Sequence, residues 1–332
     1  MLSLTAVLLV ATSSLVSALR IGTWNLRYDS QSNDITVQES IDSLSDPLQA
    51  FTYLGISNGA EQPWSTRRIR VAEHVLNEGA SILSVQEALV RQVNDLVELL
   101  GDGWSYVGVG RDDGVVAGEF SAIFYKTSDV TLSWNDTFWL SNTPLEPSKY
   151  PGAGSYRIAN VARFTTGSET FTLINTHLDD ISDDQRQLGA SMVLTRAKYE
   201  AVQSNGPVFV TGDFNSPSTG DDSAAYEIIT GSHDLFAMNA TWAAKYGVSD
   251  ELEDFVMEDL RGRAPRRMVS KNYATYSGWT GPADTSKWTR IDFVFGGSNG
   301  GWTANSYKVD SALNDDGLLM SDHRPTFVDI SL

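Results

Sequence analysis

The sequence predicts a single α/β domain over residues 19–332, and three observations support this class. Short runs rich in β-branched and other apolar residues, which are typical of buried strands, recur along the chain. Segments with apolar residues at helical spacing lie between several of these runs. Neither a repeat nor a linker-like stretch divides the chain, so one domain is the simplest interpretation.

Five of the predicted strands end at, or lie next to, a polar side chain that can take part in catalysis or bind an ion. Ligands of α/β sheets usually bind at the edge where strands end, so these side chains are candidates for one site. The predicted strands are residues 20–25, 81–87, 171–177, 208–213 and 290–295.

Three helices are also predicted. The first begins at a Ser65 cap and ends at Gly79, the second spans residues 90–100, and the third runs from an Asp183 cap to about residue 205. The buried face of the first helix is predicted to consist of Ile69, Ala72, Val75 and Leu76.

Two segments fall outside this alternation of strands and helices. Residues 29–63 are polar and too long for an ordinary connection, so a functional or covering loop is expected. Within residues 216–289, six acidic residues between positions 250 and 259 precede four arginines, Arg261, Arg263, Arg266 and Arg267. Either the acids form a solvated helix that a basic turn neutralises, or the arginines lie at the rim of a site for an anionic substrate.

The first 18 residues are predicted to be an export signal. An apolar run at residues 6–11 is followed by the small residues Val16, Ser17 and Ala18, the type that a signal peptidase reads, although no lysine or arginine precedes the run. This run is shorter than the roughly 20 residues that span a bilayer, and no later segment is long and apolar enough. We therefore expect a secreted, extracellular monomer without a membrane span that begins at Leu19.

Composition limits the chemistry and the partners. The chain has no cysteine, which excludes a disulfide, a thiolate nucleophile and a thiolate zinc site. With 24 basic and 42 acidic residues, its net charge of −18 argues against tight, sequence-independent binding of nucleic acid. A bound divalent cation would reverse the field locally, so a phosphate ester, including nucleic acid, remains possible as a substrate.

The candidate site consists of side chains at or just after the predicted strand ends. Gly212 allows a tight turn that lets Asp213 and Asn215 point into one crevice, although an Asx-turn would account for this pair alone. Oxygen ligands with few nitrogens suit magnesium or manganese, with calcium as a further candidate, better than zinc. The candidate residues are Asn25, Glu87, His177, Asp213, Asn215, Asp292, Asp322 and His323.

Six motifs in the same order resemble the endonuclease/exonuclease/phosphatase superfamily, and the resemblance extends over residues 20–330. It implies a four-layer αββα sandwich with two packed mixed β-sheets. Residues 118–125 and 156–164 resemble a poorly characterised secreted branch, whereas Arg27 matches the deoxyribonuclease-like form and argues against abasic-site repair. The motifs are Trp-Asn-Leu-Arg at 24–27, Gln-Glu at 86–87, Asn-Thr-His-Leu-Asp at 175–179, Gly-Asp-Phe-Asn-Ser at 212–216, Arg-Ile-Asp-Phe-Val-Phe at 290–295 and Ser-Asp-His-Arg-Pro at 321–325.

The resemblance also implies a role for each candidate residue. Glu87 would be the principal metal ligand, with Asn25 and Asp322 completing its coordination shell or hydrogen-bonding to it. Asp213 would orient or deprotonate the attacking water, and Asn215 would hold the phosphate.

The two histidines have implied roles as well. His323 would contact the phosphoryl group or act as the base, with Asp292 fixing its tautomer, and the choice of base between His323 and Asp213 stays open. His177 would stabilise the transition state or protonate the leaving oxygen, whereas His74 and His233 are expected to have no catalytic role.

The leading functional hypothesis is a metal-dependent phosphoesterase that attacks a phosphodiester or phosphomonoester in line with water. An extracellular nuclease acting on DNA or RNA is the first alternative. A catalytically inactive binding protein on the same fold is the second alternative, but such a protein would normally lack one of the catalytic groups.

Overall fold

The computed structural model describes residues 18–44, 60–248 and 251–332. The predicted export signal lies outside the described residues except for Ala18, and so does the middle of the predicted covering loop. The described residues form four layers, in which two packed six-stranded mixed sheets are flanked by helices. This architecture confirms the predicted αββα sandwich.

The first sheet has the strand order β11-β12-β1-β2-β4-β3. Strands β1 and β2 are parallel, and the other neighbouring pairs are antiparallel. Its strands are β1 (Ala18–Asn25), β2 (Ile82–Gln86), β3 (Trp104–Val107), β4 (Ile123–Lys126), β11 (Thr303–Val309) and β12 (Thr326–Ser331).

The second sheet has the strand order β5-β6-β7-β8-β10-β9, and here β7 and β8 are the parallel pair. The parallel pairs of both sheets are central, which agrees with the continuous apolar character of these strands. Its strands are β5 (Thr131–Trp139), β6 (Ile158–Thr166), β7 (Glu169–His177), β8 (Val208–Asp213), β9 (Met257–Asp259) and β10 (Asp292–Gly297).

Three apolar layers hold the four structural layers together. Residues such as Ile21 and Phe171 fill the space between the sheets. Two of the helices cover the outer face of the first sheet, and three others cover the second. The helices are α1 (Val37–Asp42), α2 (Trp64–Asn77), α3 (Val90–Leu100), α4 (Asp183–Ser204), α5 (Ala224–Ile229), α6 (Ala240–Tyr246) and α7 (Leu260–Arg263).

Buried polar side chains join the two sheets near one edge. Gln86 donates to the Oδ1 atom of Asn175 at 2.7 Å, and the hydroxyl of Thr211 donates to that of Ser84 at 2.7 Å. Asn175 in turn donates to the backbone carbonyl of Val85 at 2.9 Å. Because a buried polar group is costly unless it is paired, these bonds favour one alignment of the sheets.

Helix α2 differs from its prediction in both its start and its buried face. It begins at Trp64, so Ser65 lies inside the helix, and Leu76 is 47% exposed. The charged side chains of Arg67 and Arg68 are buried instead. Arginine guanidinium groups can satisfy several carbonyl oxygens at once, and apolar periodicity does not reveal this.

Two further predictions of local structure were wrong. Helix α4 is capped by Ser182, whose side chain accepts from the amide of Gln185, and not by Asp183. The acidic segment ends in strand β9, not in a solvated helix, because Asp259 binds the buried Arg290 guanidinium through both carboxylate oxygens at 2.7 Å. Among the described residues, no helix is long and apolar enough to cross a bilayer.

Gly212 is required where β7 and β8 approach each other. Its φ is +150°, and a Cβ atom there would lie 2.1 Å from the carbonyl oxygen of Thr176. We predict that Gly212→Ala lowers the free energy of unfolding by about 2 kcal/mol or more. Urea denaturation would measure this loss, and Gly262→Ala is the matched control because a Cβ atom at that position meets nothing within 4 Å. Equal stability of the two variants would contradict the prediction.

Candidate active site

The structure brings the predicted site residues to one edge of the sandwich. Asn25 and His177 are the last residues of β1 and β7, and Glu87 directly follows β2. Asp213 ends β8 and pairs in register with both His177 and Asp292. The remaining candidates lie in the turn after β8 and in the segment before β12: Asn215, Asp322 and His323.

The side-chain amide of Asn25 connects the carboxylates of the two sheets. Its Nδ2 atom donates to Glu87 Oε1 and to Asp213 Oδ2, both at 2.9 Å. Its Oδ1 atom accepts from the backbone amide of Arg27 at 2.9 Å, which fixes the orientation of the group. The amide therefore holds two carboxylates in place without adding charge to the site.

Asp213 lies between the two histidines. Its Oδ2 atom is 3.6 Å from the Nε2 atoms of both His177 and His323. On the far side of His323, the Nδ1 atom donates to Asp292 Oδ2 at 2.9 Å. This bond orients the His323 ring so that its Nε2 atom faces Asp213.

His177 has a different set of neighbours. Its Nδ1 atom is 3.1 Å from the guanidinium of Arg157 and 3.8 Å from the carboxylate of Glu119. Its Nε2 atom is 3.1 Å from the amide nitrogen of Asn215, which also donates to the Leu178 carbonyl at 3.1 Å. The resemblance to the superfamily alone had not pointed to Arg157 or Glu119.

Three non-glycine residues of this edge have positive φ angles: 57° at Arg27, 61° at Glu87 and 47° at Asn215. Such backbone is strained for residues with a side chain, and it persists where surrounding contacts enforce it. The Glu87 carboxylate accepts from the backbone amide of Tyr28 at 3.2 Å and lies 3.7 Å from the Arg27 guanidinium. The strain and these contacts together direct the side chains into the cleft.

The two site histidines differ in electrostatics. Burial lowers the pKa of His177, and the nearby Arg157 and Arg111 lower it further, to well below its ordinary value. Burial also lowers the pKa of His323, but Asp292 and Asp213 overcome this effect and raise it well above the usual range. These surroundings favour the neutral form of His177 and the protonated form of His323.

Three carboxyls of the cleft have raised pKa values, among them that of Asp322, which burial raises. Burial, together with the charge of Asp292, raises the pKa of Asp213 to about 7. Burial raises the pKa of Glu119 to about 7 as well, although Arg111 opposes the shift. Crowded carboxyls of this kind favour the binding of a cation, which would stabilise their ionised forms.

The cation ligands that the geometry favours overlap only partly with the predicted set. One possible ligand atom each from Glu87, Asp213 and His323 lies within 4.8 Å of the others. The amide oxygen of Asn25 already accepts from a backbone amide, whereas Asp322 lines the cleft near Glu87. Glu87 is common to both sets, and the assignment of Asn25 and Asp322 as ligands stays a prediction.

The cleft measures about 790 Å³ and is lined by Arg27 and by two arginines that the sequence did not single out, Arg111 and Arg157. The arginines of residues 261–267 do not line it. Arg261 instead packs over Tyr273, with its Cζ atom 5.1 Å from the ring centroid. The hypothesis that this cluster forms the rim of the site was therefore wrong.

Arg67 holds together two backbone segments next to the cleft. Its Nη1 atom donates to the carbonyl oxygens of Leu26 at 2.6 Å and Met320 at 2.9 Å, so it joins the segment after β1 to the segment before His323. Burial lowers the pKa of Arg67 to about 10, so the group still carries its charge at neutral pH. The sequence does not distinguish Arg67 from Arg68 and Arg70 of the same helical turn.

The sequence model of the Endonuclease/Exonuclease/phosphatase family matches residues 22–323. The chain belongs to this family. The resemblance that the six motifs predicted is thereby confirmed. Members of the family are phosphoesterases and generally depend on a divalent metal ion. A search of curated proteins finds no match.

Solved structures agree with this assignment. An endonuclease/exonuclease/phosphatase from Bacteroides vulgatus is 26% identical with a TM-score of 0.71, covering 95% of this chain and 99% of its own. A mannosyl-6-phosphatase from Bacteroides thetaiotaomicron is 24% identical with a TM-score of 0.69, covering 95% and 100%. D. rerio TDP2 complexed with a single-strand DNA product is 16% identical with a TM-score of 0.58, covering 95% and 100%. The last two similarities show the fold alone.

The four histidines provide a test of the site. His177→Ala and His323→Ala should each lower kcat by about 100-fold or more, the usual scale for losing a group that moves a proton or stabilises charge in the transition state. His233 is exposed, and His74 packs against Trp24 with ring centroids 5.6 Å apart, so alanine at either position should leave kcat near the wild-type value. A loss at His74 as large as that at His323, in a variant that is still folded, would contradict the assignment.

Proposed function

We propose that this protein is a secreted, divalent-metal-dependent phosphoesterase that hydrolyses small phosphate esters. The observation that carries the proposal is the Asn25 amide within 2.9 Å of both Glu87 and Asp213, with two histidines 3.6 Å from the same Asp213 oxygen. Carboxylates, amides and imidazoles from both sheets converge there. This set is complete, which argues against an inactive binding protein on the same fold.

The donor set fits a hard divalent cation. Glu87 and Asp213 offer carboxylate oxygens, and the raised pKa of Asp213 reflects buried negative charge that a cation would compensate. Glu87 would hold the ion together with the predicted Asn25 and Asp322, so that Asp213 and His323 keep their own tasks in the reaction. Magnesium or manganese, or calcium, bound there would supply Lewis-acid polarisation of a phosphoryl oxygen.

The protein's own groups then have distinct tasks. Asp213 accepts a proton from the attacking water, because its carboxyl lies at the centre of the cluster and has a pKa near neutrality. His323, held protonated by Asp292, donates from Nε2 to the phosphoryl group. Asn215 donates its amide to the same group. These assignments choose Asp213 as the base where the sequence left two candidates.

The charges of the cleft favour small substrates. Each of its three arginines already has a carboxylate partner: Arg27 with Glu61 at 3.4 Å, Arg111 with Glu119 at 2.6 Å and Arg157 with Asp179 at 3.0 Å. A long polyanion is normally bound through many unpaired lysines and arginines. One similar structure is a mannosyl-6-phosphatase, which supports a small phosphate ester as the substrate, although another, D. rerio TDP2, is complexed with a single-strand DNA product.

Export remains part of the proposal. Cleavage after Ala18 would leave Leu19 as the first residue of β1, where it is 2% exposed and pairs with Ile330. The sheet would therefore retain its buried strand after processing. N-terminal sequencing of protein recovered from the medium of an expressing cell tests this, with Leu19 as the expected first residue.

The metal dependence predicts that EDTA abolishes hydrolysis and that magnesium or manganese restores it. Glu87→Gln should lower kcat/KM by about 100-fold or more, since mutations of catalytic ion ligands remove transition-state stabilisation. Added magnesium should also raise the melting temperature of the wild type but not that of Glu87→Gln. The exposed Glu146→Gln is the matched control. Full activity of the chelated wild type would overturn the metal mechanism.

The proposed preference for small phosphate esters predicts that kcat/KM depends only weakly on salt concentration. We expect kcat/KM on p-nitrophenyl phosphate or bis-p-nitrophenyl phosphate to exceed that on duplex DNA, and to change little between about 20 and 300 mM salt. Comparing these esters with DNA and RNA over that range is the measurement. A strong preference for nucleic acid with a steep salt slope would instead identify an extracellular nuclease.

A further inference from the structure

Arg157 is held rigidly beside His177. Its side chain is 4% exposed, its Nε atom donates to Asp179 at 3.0 Å, and its Nη2 atom donates to Asp180 at 2.6 Å. The remaining nitrogen, Nη1, lies 3.1 Å from His177 Nδ1. Because each nitrogen of the guanidinium has a partner, Arg157 is held in one orientation beside the His177 ring.

We propose that Arg157 is a positioning residue that fixes the Nε2–H tautomer of His177, so that His177 and Asn215 present two donors to one phosphoryl oxygen. A guanidinium group has five donors and no acceptor. The Nδ1 atom of His177 must therefore offer its lone pair, and in a neutral ring the proton then lies on Nε2. This inference rests on the proposed phosphoesterase function.

Glu119 is the first competitor for His177 Nδ1, since a carboxylate there would favour the Nδ1–H tautomer. Its oxygen is 3.8 Å from Nδ1, beyond hydrogen-bonding distance, whereas the Arg157 nitrogen is at 3.1 Å. The same Glu119 oxygen already accepts from Arg111 at 2.6 Å. The hydrogen-bond donor Arg157, and not the acceptor Glu119, is therefore in contact with Nδ1 of His177.

Asn215 is the second competitor, from the other side of the ring. Its amide nitrogen is 3.1 Å from His177 Nε2, and the bond from that nitrogen to the Leu178 carbonyl keeps the amide from turning over. A donor thus faces each ring nitrogen, although a neutral ring has only one lone pair. The contact with the charged Arg157 is the stronger of the two, so the lone pair lies on Nδ1.

This assignment leaves two N–H groups, on His177 Nε2 and Asn215 Nδ2, close together. The nearest carboxylate oxygen of the described residues to Nε2 is Asp213 Oδ2, at 3.6 Å. An oxygen atom that entered the cleft and accepted from both groups would relieve the donor–donor contact. Paired donors of this kind stabilise charge that develops on an oxygen in the transition state.

The neutral state of His177 follows from the same surroundings. A charged ring would carry a proton on Nδ1, against the donor-only Arg157 nitrogen 3.1 Å away, so His177 acts as a hydrogen-bond donor and not as a proton-donating acid. Its contribution should therefore be expressed mainly in kcat, because the developing charge is larger in the transition state than in the bound substrate.

The first test uses nitrogen NMR of the metal-free wild type, labelled with ¹⁵N at its histidine rings, at neutral pH. The expected result for His177 is a protonated Nε2 and an unprotonated Nδ1. A protonated Nδ1, alone or together with Nε2, would overturn the proposal. This readout needs no activity, so a protein without phosphoesterase activity would refute the proposed function and leave the tautomer question decided separately.

The second test removes the donor. In Arg157→Met, only the Asn215 donor remains at the ring, so we expect the tautomer to invert to Nδ1–H facing Glu119. With p-nitrophenyl phosphate and magnesium, kcat should fall by about 100-fold or more, the usual effect of losing one such donor, with a much smaller change in KM. Arg157→Lys keeps a donor-only cation and should restore both the tautomer and part of kcat.

The matched control is Arg163→Met, which removes a partly buried arginine from strand β6 that is paired with Glu200 at 2.7 Å. Its His177 spectrum and kcat should equal those of the wild type. If Arg157→Met is folded but keeps both the wild-type tautomer and kcat, Arg157 does not position His177. If it fails to fold, the wild-type spectrum and the Arg157→Lys variant decide the question.

Discussion

The Asn25 amide is the contact on which the rest of the site depends, because it joins the two sheets at the edge where the catalytic groups meet. It donates to Glu87 on its own sheet and to Asp213 on the other, both at 2.9 Å. Two carboxylates brought this close would repel each other without a donor between them. An amide supplies that donor and leaves the net charge, and therefore the attraction for a cation, unchanged.

The same cleft gives two histidines opposite properties. His323 lies between Asp292 and Asp213, and their charges favour its protonated form in spite of burial. His177 lies next to Arg157 and is also buried, so its neutral form is favoured. Both rings approach the same oxygen of Asp213, at 3.6 Å. Neighbouring charges, and not residue type, thus decide which histidine acts as a cation and which as a neutral donor.

Much of the fold and of the site could be predicted from the sequence. The strands that end at Asn25, His177 and Asp213 were predicted because continuous apolar runs reflect burial on both faces. The alternation of such strands with helical segments indicated the α/β class, and motif order indicated the family. Local sequence patterns suffice to place these residues, because the residue at the end of a strand lies at the edge of the sheet.

Contacts between distant segments were decided only by the tertiary structure. Ser65 has the chemistry of a helix cap, yet α2 begins at Trp64, whose backbone amide donates to the carboxylate of the distant Asp29 at 3.3 Å. Arg157 likewise meets His177 across the sheet edge. The sequence determined which chemical groups stand at the strand ends. The packing of the two sheets decided which groups face each other, since hydrogen-bond partners and pKa values depend on distances that no local pattern encodes.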